Sequence, residues 1–300
     1  MNGIKMKLVF GFALLVAILF FGVGAFSYAQ DLLNVTCVPN VLKQGGACLV
    51  TVSGPGSLVS VDGEFLGSKF PMAPGSRKGV FRGLLGIDMQ TSPGTHELRA
   101  FARDADRKSL TKISSVKVEK VDFAVQRLTL PRSMVDLDPE TLERVREETR
   151  RVSAVLKGYR AERLWNGPFG RPVGGEVSTP FGVRRVLNGQ ERSPHTGVDL
   201  RAAEGTPVRV CNRGIVALVD ELFFSGNSVV LDHGWGMYSM YFHLSEVLVQ
   251  EGETVERGSV LGLAGSTGRA TGPHLHWGVK INGARVDPLS LIELSQYLEE

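Results

Sequence analysis

Cysteine is scarce in this chain, three among 300 residues. Cys211, in "TPVRVCNRGIV", has no second thiol and no other ligand type close by, which leaves it the role of a small buried hydrophobe inside a strand. Charge of one sign is also lacking. The net charge is +3, and no Lys/Arg run carries interleaved aromatics, so nucleic acid is excluded as the expected partner. Histidine is rarer than most residues, at six, and that scarcity makes its placement informative.

What is present begins with an N-terminal segment. Lys5 and Lys7 precede an apolar run from Leu8 to Phe21, and "GVGAFSYAQD" follows. This is the order of a secretory signal, with the small-x-small pattern Ser27-Tyr28-Ala29 placing cleavage after Ala29. No cysteine stands at the junction, which argues against a lipoprotein anchor. The alternative is an uncleaved inner-membrane anchor over residues 8–25, the one case in which membrane contact is expected. Either way the remainder is expected to be exported, to the periplasm or cell envelope. Export gives Cys37 and Cys48 meaning: they bracket "CVPNVLKQGGAC", two short apolar runs about a Gly-Gly turn, and an oxidising compartment favours their pairing.

Length allows roughly two domains. After the signal (1–29), residues 30–122 read as short strands cut by Gly and Pro: "ACLVTVSG", "LVSVDGEF", "THELRAFARD", "ISSVKVEKV". Alternation such as Leu98 and Ala100 against Arg99 and Arg103 predicts an Ig-like β-sandwich. His96 opens one strand with no second ligand type nearby and reads as a surface residue. Residues 123–165 form a linker with an amphipathic helix. Asp138-Pro139 is its N-cap and first turn, and Leu142, Val145, Val152 and Leu156 make its apolar stripe. Its charged faces read as solvated. Residues 166–300 are glycine-rich with short strands, a compact antiparallel β domain that holds five of the six histidines.

In "TGPHLHWGV" two histidines stand one residue apart. On a strand His274 and His276 share a face, while Leu275 and Val279 point to a core. Chance alone gives a His-x-His on the order of one time in ten in such a chain, so the pair is weak by itself. In "SPHTGVDL", His195 and Asp199 are four apart, in a loop that enters a strand. That spacing leaves their convergence on a metal open. In "MYSMYFHLS", His243 ends an alternating strand, and His233 in "LDHGWG" reads as a structural residue at a hairpin turn.

"HTGVD", "YFHL" and "STGRATGPHLHWGV" resemble the signatures of the lysostaphin and LytM-type zinc metallopeptidases of bacterial peptidoglycan. The resemblance covers about residues 166–295 and includes "FGVR" before the motifs and "DP" after them. It implies one Zn2+ per chain held by His195, Asp199 and His276, with His243 and His274 as catalytic histidines acting on water or substrate. It also implies peptidoglycan stem peptides as substrate. Cys211 stands where the family usually has alanine and Ser239 where threonine is common. The competing expectation is a non-catalytic wall-binding protein or an activator of other hydrolases. Retention of all five groups argues against it. A regulatory protein partner and partial cover of the cleft by the upstream domain and linker are expected as well, since uncontrolled wall hydrolysis would lyse the cell.

Overall fold

The computed structural model describes residues 32–129 and 137–298; the signal segment lies outside the described residues. As expected, the fold is mainly β, with a two-sheet sandwich followed by an antiparallel sheet domain. One sandwich sheet runs Asn34–Val38, Ala47–Ser53, Val80–Gly86, Ala73–Pro74. The other runs Val41–Lys43, Ser109–Glu119, Gly94–Asp104, Leu58–Phe65, Ser68–Pro71. Leu98, Ala100 and Ala102 are buried against Val50, Val52 and Val116, while Arg99 and Arg103 face water. The alternation read from the sequence is therefore the inside and outside of this sandwich. His96 is the surface strand residue expected of it, its Nε2 lying 2.6 Å from the Ser92 carbonyl.

One strand departs from alternation for a physical reason. In Ala47–Ser53 the run Ala47, Cys48, Leu49, Val50 is buried throughout. Cys48 and Val50 face the sandwich interior, whereas Ala47 and Leu49 join the core of the following domain, together with Leu84 and Met89. This sheet is thus covered on both faces, which is why its sequence loses the two-residue period. Polar contacts fix the same junction. Arg285 donates from Nε and Nη2 to the Asp88 carboxylate at 2.9 and 2.7 Å, and Asn282 donates to the Leu84 carbonyl at 2.8 Å. Arg285 draws the Asp88 carboxyl below its ordinary range against the opposing effect of burial.

The C-terminal sheet runs Val177–Thr179, Gly197–Arg201, His274–Ile281, Met237–Val247, Gly226–Gly234, Gly214–Leu222, Thr254–Val255, each neighbour antiparallel. Leu200, Val229, Leu231, Tyr241, Leu275, Trp277 and Val279 fill its core. The helix Pro139–Val155 starts as predicted: the Asp138 side chain accepts from Thr141 N at 2.9 Å, with Pro139 in the first turn. Val152, Val155 and Leu156 pack on Leu218, Val230 and Tyr238.

Four expectations are corrected here. Glu148, read as part of a solvated face, is buried, because it accepts from Arg144 Nε at 2.7 Å and from the Phe223 amide at 2.9 Å. Leu142 leaves the apolar stripe and is exposed. Cys211 lies two residues past the strand Pro207–Arg209, buried against His233, with Sγ 3.8 Å from Nε2. The strand carrying His243 does not end there but runs on to Val247, with an irregularity at His243, whose φ is +63°.

Candidate active site

The strand Gly197–Arg201 pairs with His274–Ile281 so that Asp199 faces His276 directly and Arg201 faces His274. Cross-strand partners share a face, so the register puts the carboxylate beside the imidazole. Gly197 permits the approach: a Cβ there would stand 2.7 Å from His276 Nε2 and 2.4 Å from the Trp277 carbonyl. His195 enters from the preceding loop, its backbone amide donating to the Val183 carbonyl at 2.9 Å. His195 Nε2 is then 2.7 Å from Asp199 Oδ1 and 2.9 Å from His276 Nδ1, and Oδ1 to Nδ1 is 2.9 Å. The predicted trio does converge, and the loop-into-strand reading of "HTGVD" holds.

Proton accounting shows what this trio fits. His195 Nδ1 is 2.9 Å from the Pro180 carbonyl, to which only an N–H can donate, so in the neutral ring the lone pair is on Nε2. Burial pushes His276 down to about 4 despite its carboxylate neighbour, so it is neutral at pH 7. For Asp199, burial works to raise the pKa, but the hydrogen bonds to His195 and His276 outweigh it and hold the carboxyl well below the carboxylate range. Three potential donor atoms, two imidazole nitrogens and a carboxylate oxygen, therefore meet within 2.9 Å of one another. Two imidazole nitrogens and a carboxylate oxygen, with His195 braced from behind by a carbonyl, fit a divalent ion such as zinc.

The other two histidines stand on the same cleft. His243 and His274 have ring centroids 4.8 Å apart, and His274 Nε2 is 3.8 Å from Asp199 Oδ1. His243 donates from Nδ1 to the Thr267 carbonyl at 2.8 Å and His274 from Nδ1 to the Gly272 carbonyl at 2.8 Å. In its neutral form each ring then has its lone pair on Nε2. Burial lowers His243 to about 4, against the Thr267 hydrogen bond, so it too is neutral near pH 7. The positive φ at His243 turns the chain out of the strand ladder, and its amide donates instead to the Ser225 carbonyl at 2.8 Å. His233 is away from the cleft and fully buried, as a structural residue should be.

The cavity over this centre, about 120 Å³, is also lined by residues the sequence reading passed over: Gln126, Leu128, Arg185, Arg269 and Thr271. Two of them belong to a strand, Val125–Leu128, that pairs in parallel with Arg184–Leu187 and so brings the upstream linker to the cleft wall. Partial cover was expected from the β-domain and the linker helix; at this cavity the linker contributes through this strand, and the helix residue Leu142 lines the adjoining groove. Arg185 and Arg269 were visible inside "FGVRR" and "STGRATG", as cations among small and apolar residues.

An open cleft holding a three-donor trio and two further imidazoles has the donor set of a catalytic metal centre. The family model for peptidase family M23 matches residues 193–288, which contain all five groups. A crystal structure from Pseudomonas aeruginosa assigned to peptidase M23 aligns over 89% of this chain and 99% of its own, at 31% identity and a TM-score of 0.65. The chain belongs to the peptidase M23 family. Among curated relatives, the DD-carboxypeptidase/endopeptidase Mpg of Neisseria meningitidis serogroup B is 42% identical over 115 residues, 38% of this chain. The peptidoglycan DD-endopeptidase ShyA of Vibrio cholerae is 40% identical over 114 residues, also 38% of this chain. Each match spans 26% of the relative's own length.

Proposed function

We propose that this protein is an exported zinc metalloendopeptidase that hydrolyses peptide cross-links of bacterial peptidoglycan. The observation that carries the reading is the meeting of His195, Asp199 and His276 in a cleft faced by His243 and His274. The names of the curated relatives, a DD-carboxypeptidase/endopeptidase and a peptidoglycan DD-endopeptidase, support the substrate class.

His195, through Nε2, Asp199, through Oδ1, and His276, through Nδ1, would hold the ion. Zinc, when bound there, supplies Lewis acidity and a water acidic enough to yield hydroxide near neutral pH. The protein's own part is proton traffic and orientation. The Thr267 and Gly272 carbonyls fix the tautomers of His243 and His274, so that an Nε2 lone pair faces the cleft from each ring. One neutral Nε2 takes the nucleophile's proton, and the resulting imidazolium returns it to the leaving amine. While charged, that ring also stabilises the developing oxyanion.

Purified sacculi test the reading. The metal-loaded protein is expected to release new amino groups, and EDTA is expected to abolish the release. Bound zinc without any amine release would instead identify a wall-binding protein or hydrolase activator that uses the same cleft.

A further inference from the structure

The helix Pro139–Val155 buries a group that its docking does not require. Its apolar contacts, Val152, Val155 and Leu156 on Leu218, Val230 and Tyr238, lie at its C-terminal end. One turn earlier stands Glu148, only 7% exposed, a carboxylate withdrawn from water against the cost of desolvation. Both of its oxygens are used. Oε1 accepts from Arg144 Nε at 2.7 Å, and Oε2 accepts from the Phe223 amide at 2.9 Å. Arg144 also donates from Nη2 to the Glu221 carbonyl at 3.2 Å, so the ion pair grips the chain at residues 221 and 223 together.

Phe223 opens the turn 223–225 between the strands Gly214–Leu222 and Gly226–Gly234. The end of that turn holds His243. Its Ser225 carbonyl accepts the His243 amide at 2.8 Å. The strand ladder pairs Val229 with Tyr241 and then Asn227 with Leu244, which leaves Phe242 and His243 together opposite Ser228. A bulge of this kind re-aims a side chain. At φ +63° a histidine stays in the left-handed region only where its surroundings hold it. The second support is Thr267. Its carbonyl accepts from His243 Nδ1 at 2.8 Å, and its Oγ1 accepts from the Asn227 amide at 3.0 Å, just past the same turn. Gly226 lets these segments close, because a Cβ there would collide with Thr267. Backbone and ring of His243 are thus fixed by one packed unit, and the linker helix reaches that unit through Glu148.

Resting on the peptidase reading above, we infer that Glu148 is a positioning residue for His243: its carboxylate fixes the turn 223–225, and the Ser225 carbonyl thereby keeps His243 in its left-handed conformation with the ring on the metal cleft. Without the carboxylate the Phe223 amide loses its acceptor and Arg144 its partner, and the turn relaxes toward water. A proton-transfer group must be placed closely, and a shift of about 1 Å costs up to about 10²-fold in rate. The linker helix therefore acts on the reaction through a catalytic group, a role separate from cover of the cleft.

The test uses the full zinc-loaded chain and two readouts, residue-resolved amide hydrogen exchange and steady-state cleavage of a soluble cross-linked peptide. Glu148→Ala is expected to speed exchange of the His243 amide about tenfold or more, the worth of a hydrogen bond to a charged group, while the amides of the strand Gly197–Arg201 stay as in wild type. It should also lower kcat about 10–100-fold, with KM within a few-fold and zinc near one per chain. Glu148→Gln keeps an acceptor for the Phe223 amide and should stay within a few-fold of wild type in both readouts. Arg151→Ala removes the neighbouring helix-to-hairpin ion pair, Nη2 to Asp220 Oδ2 at 2.6 Å, and should change neither. Unaltered His243 exchange in Glu148→Ala, or equal acceleration throughout the sheet, overturns the proposal, the second result marking Glu148 as a residue of general stability. Selective loosening of His243 with kcat unchanged also overturns it, as does a glutamine or Arg151→Ala variant as impaired as Glu148→Ala. If Glu148→Ala does not fold, Glu148→Asp, whose shorter side chain cannot span Arg144 and Phe223 together, is judged by the same outcomes. If wild type cleaves no peptide, the peptidase reading fails, and the exchange of His243 alone decides whether Glu148 places it.

Discussion

Asp199 and His276 are direct cross-strand partners although 77 positions separate them, and Oδ1 of one stands 2.9 Å from Nδ1 of the other. A one-residue slip of this register would turn both side chains to the opposite face and bring Leu200 and Leu275 into the cleft. The same two strands therefore assemble the centre and bury the apolar core behind it, so the site is as rigid as the sheet.

This register separates the roles of two neighbouring histidines. His276→Ala removes a donor of the trio, and zinc content is expected to fall with activity. His274→Ala and His243→Ala leave the trio whole, so zinc should stay near one per chain while activity drops about 10²–10⁴-fold. Added zinc is expected to rescue neither of the latter two. Metal analysis beside amine release from sacculi checks this, and loss of metal from His274→Ala with retention in His276→Ala would reverse the assignment.

The sequence exposed most of this centre because its five groups lie in three short motifs, and a two-residue strand period places His274 and His276 together without further information. The β-sandwich was legible for the same reason. What escaped reading depended on contacts far apart in sequence. Glu148 is buried only because Phe223 arrives with an unpaired amide, and Leu49 and Leu84 are covered on the outer face only because a second domain docks there. The strand Val125–Leu128 carries no strong strand pattern, and its partner Arg184–Leu187 lies some sixty residues on.

The linker strand gives a second expected outcome. Gln126 and Leu128 alternate onto the metal cavity, while Val125 and Arg127 line the neighbouring one. Truncating Gln126 and Leu128 together to alanine widens the entrance without touching a donor atom. Hydrolysis of intact sacculi is expected to rise a few-fold, with cleavage of small soluble peptides nearly unchanged. A fall on both substrates would mean that these side chains hold substrate rather than restrict access.

Cys37 and Cys48 lie on paired strands, their thiols hydrogen-bonded to one another, Cys48 fully buried and Cys37 half-buried. In the oxidising compartment proposed for the mature chain they are expected to form a disulfide. Alkylation after denaturation but before reduction should then label Cys211 alone, and three labelled thiols would refute the pairing. Reduction of the bond is expected to lower stability by about 2–4 kcal/mol.

The last expectation concerns acid stability and rests on His233, which is fully buried and outside the cleft. Its Nδ1 donates to the Arg213 carbonyl at 2.9 Å, and Nε2 is 2.7 Å from Ser239 Oγ, an arrangement satisfied by the neutral ring. Burial drives its pKa from 6.5 down to about 4, more than the Arg213 carbonyl and Asp232 raise it. The folded pKa is thus the lower one, and as pH falls the unfolded chain takes up this proton first. Stability is complete above about pH 6.5, declines between 6.5 and 4, and levels off below, with a total loss of about 3 kcal/mol from this group. His233→Asn keeps a donor for the Arg213 carbonyl and removes the titration. Urea unfolding of both proteins, stripped of metal, at pH 7.5 and pH 4.5 isolates the effect, because every other titrating group is common to the two. Wild type should lose more stability across that interval than the variant does, and parallel losses would show that His233 is protonated in the fold without penalty.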